Sequence, residues 1–340
     1  MTKKQKTMYI LKKVGQLVLV LLLLSMIVFT IARLSPGDPL RAYYGDGVER
    51  MSTEQKEAAK ERLGLDEPIP VQYVKWMKSA AHGDFGISYK YKQPVSEVIG
   101  EVWFNTLLLG GSAFVLTFAF ALEIGKFCAM REGSKLDRLI CKVGVVSNSI
   151  PSFFMALILV LLFAVNLRIF PVSGAYALGQ SSNVFDRLYH LILPVTVMVL
   201  QHLWYYAYMI RNKLIEETRK DYVLLCKAKG LSKKQIMNKH CLRNILPSLF
   251  VLMAISVPHI LGGTYVVEMV FSYPGLGTLS FESAKYQDYN MLLTLCLLTG
   301  AVVVIFNLGA QIVNEFIDPR MKYERLIYSR EEQQGLEQEI

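Results

Sequence analysis

Long apolar stretches alternate with shorter polar segments along the chain. Six stretches contain no Asp, Glu, Lys or Arg, and they cover residues 14–31, 102–122, 143–167, 188–210, 244–267 and 289–314. A helix needs roughly 17–25 predominantly apolar residues to cross the hydrocarbon of a bilayer. The pattern therefore predicts an all-α polytopic membrane protein with six transmembrane helices.

The first apolar stretch is the shortest, with 18 residues. Ile10 and Leu11 extend it beyond Lys12 and Lys13, whose long side chains can snorkel towards the headgroups. Its length exceeds the apolar core of a signal peptide, and residues 33–36 lack the small side chains of a cleavage site. We therefore expect a retained first span.

Composition and charge agree with this interpretation. Apolar residues make up 53% of the chain and charged residues only 19%, which is too apolar for an ordinary soluble domain. With a cytoplasmic N-terminus, the predicted inner segments hold 23 of the 37 Lys and Arg residues, against 13 on the outer side, ten of them in one long loop. The bias predicts that both termini are cytoplasmic. Topology and anionic lipid then explain the net charge of +9, without a nucleic-acid partner.

The five cysteines show no Cys-x-x-Cys spacing, which argues against a disulfide scaffold or a zinc site. The chain also lacks the Gly-x-x-x-x-Gly-Lys-Ser/Thr loop that cradles phosphates, since its single Gly-Lys pair, Gly125-Lys126, is followed by Phe127. No Ser/His/Asp constellation is readable. We therefore predict no catalytic, cofactor-binding or metal-binding residues, and ATP hydrolysis would have to come from another chain.

Residues 35–101 form the longest loop, predicted to be extracytoplasmic. Ser52 and Gln55 match a capping box and Gly64 supplies a helix stop, so we expect a helix over about 53–63 and a second near 70–81. A loop of this size buries little core alone. We expect it to lie over the membrane part as a cap.

The predicted inner loop, residues 212–243, has the pattern of two helices joined by a turn. Asp221 can cap a short helix that Gly230 ends, and Ser232 with Gln235 matches a second capping box. Small residues at the bend suit docking into a groove of a partner protein. The alternative is a solvated basic loop beside lipid headgroups.

Short motifs follow one another in a fixed order along most of the chain. They are Pro36-Gly37-Asp38-Pro39, Leu63-Gly64-Leu65-Asp66, Gly83-Asp84-Phe85-Gly86, Asp221-Tyr222, Ala228-Lys229-Gly230-Leu231, His240-x-Leu242-Arg243-Asn244, Glu268-x-x-Phe271-Ser272-x-Pro274-Gly275-Leu276-Gly277, Asp288-Tyr289 and Asp318-Pro319-Arg320. Over about residues 8–323 this set resembles the first permease subunit of the bacterial ABC importers for dipeptides, oligopeptides and nickel.

The resemblance implies a type I importer permease fold with an extracytoplasmic cap loop. It divides the chain into a cytoplasmic arm and first span (1–34), the cap loop (35–101), a core of five spans (102–319) and a cytoplasmic tail (320–340). It also implies four kinds of partner besides the lipid bilayer, namely a second homologous permease, two cytosolic ATPases and an extracytoplasmic solute-binding protein. The family provides half of a pathway that opens alternately to each side of the plasma membrane.

By the same resemblance, the inner loop couples the permease to an ATPase. The implied coupling residues are Asp221, Tyr222, Leu225, Ala228, Gly230 and Leu231. Such a joint must be stiff and closely packed, because closure of the ATPases has to move the spans. Ala228 and Gly230 permit close approach, and Tyr222 and Leu225 have the bulk to fill a groove.

Candidate pathway or gate residues lie in and beside spans four and five. His202 and His259 are placed either to meet solute or to hydrogen-bond between helices. The other candidates are Glu268, Pro274, Gly275 and Gly277, which belong either to an outer gate or to a structured turn. Glu123 stands where the family usually has proline, and at helical spacing it can pair with Lys126 near the inner end of span two. These unusual intramembrane charges are either functional or a neutralised pair at the cytoplasmic boundary.

The resemblance leaves the solute open. A di- or oligopeptide is the first expectation, because peptides are the commonest solutes of the family, and nickel or a metal chelate is the alternative. The short segment 168–187 is closer to the nickel and metal-chelate members. A secondary transporter or a membrane scaffold is a more distant alternative, but no inverted repeat is visible and neither needs the ordered motifs.

Overall fold

The computed structural model describes residues 3–34, 39–62, 64–181 and 183–317. Long helices dominate this part of the chain: α1 (Lys3–Leu34), α5 (Val95–Met130), α8 (Val184–Thr218), α11 (Leu242–Val270) and α13 (Tyr289–Ile317). The shorter helices are α2 (Pro39–Tyr44), α3 (Thr53–Arg62), α4 (Ile69–Ala81), α6 (Lys135–Asn148), α7 (Ser152–Leu159), α9 (Asp221–Ala228), α10 (Lys233–Ile236) and α12 (Leu276–Lys285).

The helices account for the predicted spans, with one difference. Five helical segments in the described residues are long and apolar enough to cross a bilayer, and a bent pair would make a sixth. The predicted third span, 143–167, is that pair: Lys135–Ser147 and Ser152–Asn166 meet at 101°. Pro151 lies at the break, where it lacks a backbone N–H and disfavours helix in the residue before it. The sequence pattern missed this bend.

The described residues fall into two compact units. The first unit draws on residues within 1–111, 160–194 and 264–304, and the second on residues within 112–159, 195–263 and 305–317. In the first unit, buried side chains of α5, α12 and α13 form one core cluster of Val95, Val98, Leu279, Met291 and Leu295. The predicted cap loop thus belongs to the same unit as parts of several long helices.

The cap loop folds as its local signals predict. Ser52 and Gln55 form the capping box that opens α3, with backbone to side-chain distances of 2.9 and 3.2 Å, and Gly64 has a φ of +65° after the helix. The helix α4 confirms the second predicted element. It packs on α1, where the Tyr73 hydroxyl lies 2.7 Å from Ser25 Oγ. The short helix α2 and the 3-10 helix Gly45–Arg50 were not predicted.

Candidate coupling site and pathway residues

The predicted coupling helix is present as α9, with a different N-terminal cap. Lys220 is the N-cap residue and its side chain makes no capping bond. Asp221 is instead the first helical residue, so the expectation that it caps the helix is wrong. Its carboxylate still lies in the first turn, where negative charge is favourable beside the positive end of the helix dipole.

Gly230 ends this segment in the conformation that glycine favours. Its φ is +76°, as the sequence pattern predicted. The Gly230 N–H donates to the Lys227 carbonyl at 2.9 Å, and the Leu231 N–H donates to the Cys226 carbonyl at 3.2 Å. These two bonds are those of a Schellman motif, which satisfies the carbonyls at the helix end. The turn after α9 is therefore closed by backbone hydrogen bonds.

The two faces of α9 differ in burial. Val223 and Cys226 are buried against the rest of the second unit. Leu224 and Leu225 are 62% and 57% exposed, and Ala228 is also exposed. An apolar pair exposed next to a small residue suits contact with a partner. Sequence reasoning named Leu225 and Ala228 but missed Leu224, although the apolar run at 223–225 was visible.

Tyr222 does not share this exposed face. It is half-buried, and its hydroxyl donates to Cys241 Sγ at 3.5 Å. Burial raises the pKa of Tyr222 above its usual range, so the hydroxyl remains a donor at neutral pH. Tyr222 thus fixes α9 to the following helix, and the protruding residues available to a partner are Leu224 and Leu225.

The helix after the turn runs without a break into a long apolar helix. Ser232 and Gln235 form the predicted capping box at the start of α10. One π-helical turn, Met237–Cys241, joins α10 to α11, and the continuous helical run covers Lys233–Val270. The coupling turn is therefore attached to a single helix of 38 residues.

Glu217, at the end of α8, braces the base of α9. The Glu217 residue is 5% exposed, and its carboxylate lies 2.6 Å from Lys220 Nζ. Asn244 Nδ2 donates to the same carboxylate at 3.0 Å. The hydrogen bond from Lys220 to Glu217 raises the pKa of the lysine. The sequence placed Asn244 in a motif but did not indicate that it contacts Glu217.

A second ionic contact, between α6 and α8, was also missed. Arg211 makes a bidentate pair with Asp137, with N–O distances of 2.6 and 2.5 Å. Asp137 is 1% exposed, and it also accepts from the Gly133 N–H at 3.0 Å. Ser134 caps α6 by accepting from the Asp137 N–H. Only the Ser134-x-x-Asp137 spacing was visible as a local signal.

The two histidines of the second unit differ in environment. His202 Nε2 is buried and has no hydrogen-bond partner among the described residues. A Cβ added at Gly263 would lie 3.3 Å from that nitrogen, so the glycine leaves room for the ring. His259 is exposed, and it lies one helical turn before Gly263 on α11. The His202 ring therefore packs against the helix that carries the second predicted pathway histidine.

Glu268, in the first unit, is fully buried but well satisfied. Its carboxylate accepts from Thr106 Oγ1 at 2.7 Å and from the Thr278 N–H at 3.0 Å. The Gly277 N–H donates to it as well. Thr278 lies in the first turn of α12, where backbone N–H groups attract negative charge. The carboxylate therefore holds the turn after α11 against the start of α12.

Two positions of this turn must be glycine, because the backbone there lies too close to neighbouring atoms to leave room for a Cβ. A Cβ at Gly275 would lie 2.5 Å from Glu268 Oε2 and closer still to Cδ and Oε1. A Cβ at Gly277 would lie 2.6 Å from Tyr265 Cα. Pro274 is half-buried, and its carbonyl accepts from Asn105 Nδ2 at 2.9 Å. These predicted gate residues thus form one hydrogen-bonded turn.

Two further contacts explain sequence features. Glu123 and Lys126 form the predicted pair, with 2.8 Å between Oε1 and Nζ, and the Lys126 side chain is the more buried partner. Asp288 is fully buried and accepts from Ser88 Oγ and, at 3.2 Å, from the Lys90 N–H. The loop after α4 is therefore joined to the residue that precedes α13.

This set of long apolar helices is the fold of a type I ABC importer permease. A chain of the MetNI methionine ABC transporter superposes with a TM-score of 0.53, covering 66% of this chain and 97% of that one at 16% identity. At that identity the likeness concerns the fold alone.

The chain belongs to the family of binding-protein-dependent transport system inner membrane components. Residues 121–323 match that family, and residues 6–110 match its N-terminal part. Among its relatives is the oligopeptide transport system permease protein AppB of Bacillus subtilis, 34% identical over 93% of this chain and 99% of AppB. A putative peptide transport system permease protein of Brucella abortus is 32% identical over 94% of this chain and all of its own length.

Family membership confirms the main functional expectation. The protein is a non-catalytic, multi-pass inner-membrane subunit of an importer. Such a subunit works with ATPase and solute-binding proteins.

Proposed function

We propose that this chain forms half of the translocation pathway of an ATP-driven importer for di- or oligopeptides. The support is the similarity, over nearly the whole chain, to relatives named for peptide and oligopeptide transport. Those names favour a peptide over nickel or a metal chelate.

Uptake in cells tests the cargo directly. Deletion of the gene for this chain should abolish import of a labelled peptide, and its return on a plasmid should restore it. The same strains should take up radioactive nickel equally. Loss of nickel uptake with unchanged peptide uptake would contradict the proposal and establish the metal alternative.

The partners proposed are a second homologous permease, two cytosolic ATPases and an extracytoplasmic solute-binding protein. We assign the ATPase contact to α9 and its turn, with Leu224, Leu225 and Ala228 exposed and Gly230 closing the helix. Replacing Leu224 and Leu225 together by serine should reduce recovery of the ATPases with the tagged permease. The same double change at Lys233 and Lys234, also exposed in this loop, serves as the control.

The proposed topology has both termini in the cytoplasm, residues 35–101 outside, 212–243 inside and the tail from 320 inside. The charge bias supports it, and the core of five spans covers 102–319. Cysteines introduced at Ser79 and Ser232, both exposed, should differ in labelling by an impermeant reagent, once the native cysteines are removed. Labelling of position 232 from outside intact cells would reverse the orientation.

Within the pathway, we assign an outer-gate role to the turn formed by Glu268, Pro274, Gly275 and Gly277. Its dense hydrogen bonding suits a rigid element that moves as a unit. His202 and His259 are the proposed solute-facing residues of the second unit, since one has an unpaired nitrogen and the other is exposed. Substitution of either histidine by glutamine should change the apparent affinity for cargo without loss of membrane abundance.

A further inference from the structure

A polar cavity of about 450 Å³ lies within the first unit and is lined mostly by the predicted cap loop. It is bordered by the end of α1, by α4 and by the loop that follows α4. Charged and polar side chains line much of its wall, including Arg33, Glu67, Gln72 and Lys75. Its volume is in the range of small-molecule sites.

Unpaired polar atoms are concentrated around this cavity. Seven buried side-chain nitrogen or oxygen atoms in the described residues have no hydrogen-bond partner there, and four belong to side chains that line it. The four are Arg33 Nη1, Trp76 Nε1, Glu67 Oε2 and Gln72 Oε1. Unpaired buried polar atoms are rare because each forfeits its bonds to water. Their grouping makes this cavity the place in the described residues where most such polar atoms are free to bind a polar molecule.

Each of three side chains is held by contacts that leave one polar atom free. The Arg33 guanidinium lies over the Phe29 ring, with its Cζ 5.2 Å from the ring centre. Glu67 pairs through its other oxygen with Lys75 at 2.5 Å.

Gln72 completes the set. Its amide nitrogen donates to the Glu67 carbonyl at 2.7 Å. The anchored groups therefore need little reorganisation to bind, which lowers the entropic cost of association.

The four free atoms are two hydrogen-bond donors, one of them cationic, and two acceptors, one of them anionic. Arg33 and Trp76 offer N–H groups, as a carboxylate requires. Glu67 and Gln72 offer oxygens, as an ammonium group requires. We propose that this cavity binds a small zwitterion, namely an amino acid or a dipeptide, with its carboxylate at Arg33 and its ammonium at Glu67. The assignment rests on the peptide cargo proposed above and adds a cargo-binding site outside the core of five spans.

Binding can be measured on the full chain in lipid nanodiscs, with no solute-binding protein present. The chain has three tryptophans, so replacing Trp103 and Trp204 by phenylalanine leaves Trp76 in the cavity wall as the only tryptophan reporter. Titration with dialanine should change its fluorescence saturably. N-acetyl-dialanine and dialanine amide, each lacking one charge, should bind about 10- to 100-fold more weakly.

Two variants test the assigned orientation. Glu67→Gln should abolish the preference for dialanine over its N-acetyl form, and Arg33→Gln should abolish the preference over the amide. Lys78→Gln, on the exposed side of α4, is the matched control and should keep both preferences. The ligand series needs only the chain with the two Trp→Phe changes, in which every cavity residue is native, so its result does not depend on the stability of the Arg33 and Glu67 variants.

Three outcomes would overturn the assignment. The first is that the Trp76 fluorescence shows no saturable response to dialanine, which means that the cavity holds only water. The second is that the three ligands bind equally. The third is that the preferences for dialanine over its N-acetyl and amide forms persist in both variants. Peptide uptake by the assembled importer is measured separately, so an empty cavity would leave the proposed function standing. If the importer does not take up peptides, both the proposed function and this binding site are contradicted.

Discussion

A methyl group added at Gly275 probes the buried Glu268 turn. The backbone at Gly275 is extended, with a φ of −154°, so alanine brings no conformational strain there. The added Cβ would instead overlap the Glu268 carboxylate, at 2.5 Å from Oε2. Since this carboxylate is fully buried, the side chain has to leave its hydrogen bonds when alanine is introduced.

The expected magnitude follows from the bonds that Glu268 loses. Displacement removes the contacts with Thr106 Oγ1 at 2.7 Å and with the Thr278 N–H at 3.0 Å. Hydrogen bonds to a charged group contribute about 1.5–3 kcal/mol each, so Gly275→Ala should lower the free energy of unfolding by about 3–6 kcal/mol. Gly262→Ala, on α11 with no atom within 4 Å of the added Cβ, is the matched control and should change it by at most about 1 kcal/mol.

A double-mutant cycle identifies the cause. Unfolding of the purified chain by SDS in mixed micelles gives the free energies for Gly275→Ala, Glu268→Ala and the double variant. With Glu268 truncated, the alanine at position 275 should add almost no further loss. Gly277→Ala should not be rescued in this way, because its Cβ meets the backbone at Tyr265 Cα. Equal stability of Gly275→Ala and Gly262→Ala, or absence of rescue at 275, would refute the steric reasoning.

Two further predictions concern the second unit and the segment 212–243 within it. Gly230→Val should add about 1–3 kcal/mol of local backbone strain, because the φ of Gly230 is +76°. It should reduce peptide uptake and recovery of the ATPases, while the amount of protein in the membrane stays normal. Gly179→Val is the control, since Gly179 has a φ of +77° and equally open space, and it should leave uptake and ATPase recovery unchanged. Arg211→Gln should lower the free energy of unfolding by about 3–5 kcal/mol in the same SDS titration, because it leaves the buried Asp137 carboxylate without its positive partner. Lys213→Gln is the control, since it breaks an exposed ion pair, and it should lower that free energy by less than about 1 kcal/mol. Equal losses for either matched pair would contradict the corresponding argument.

Local signals in the sequence predicted local structure well. The capping boxes at Ser52 and Ser232 and the turn at Gly230 depend on residues within five positions of each other, and all three are present. Apolar stretches predicted the long helices because length and composition decide whether a helix crosses a bilayer. The family resemblance then supplied the fold and the function.

The missed features depend on distant partners or on local competition. Asp137 and Arg211 are 74 positions apart, and Thr106 and Glu268 are 162 apart. Nothing in a single sequence distinguishes such pairs from many other combinations of the same residue types. The bend at Pro151 was missed for another reason, because the apolar composition on both sides of the proline masks the break in the helix.

The contact between Ser88 and Asp288 joins two residues that are 200 positions apart. A ribosome adds about 5–20 residues per second, so Ser88 precedes its partner by about 10–40 s. During this interval the loop after α4 lacks the carboxylate that later fixes it, and the newborn cap is open to proteases and chaperones. A nascent chain stalled before residue 288 should therefore be cleaved in the cap, whereas one released after the last long helix should resist. Biogenesis of this subunit thus finishes at the cap, even though the cap is translated near the beginning.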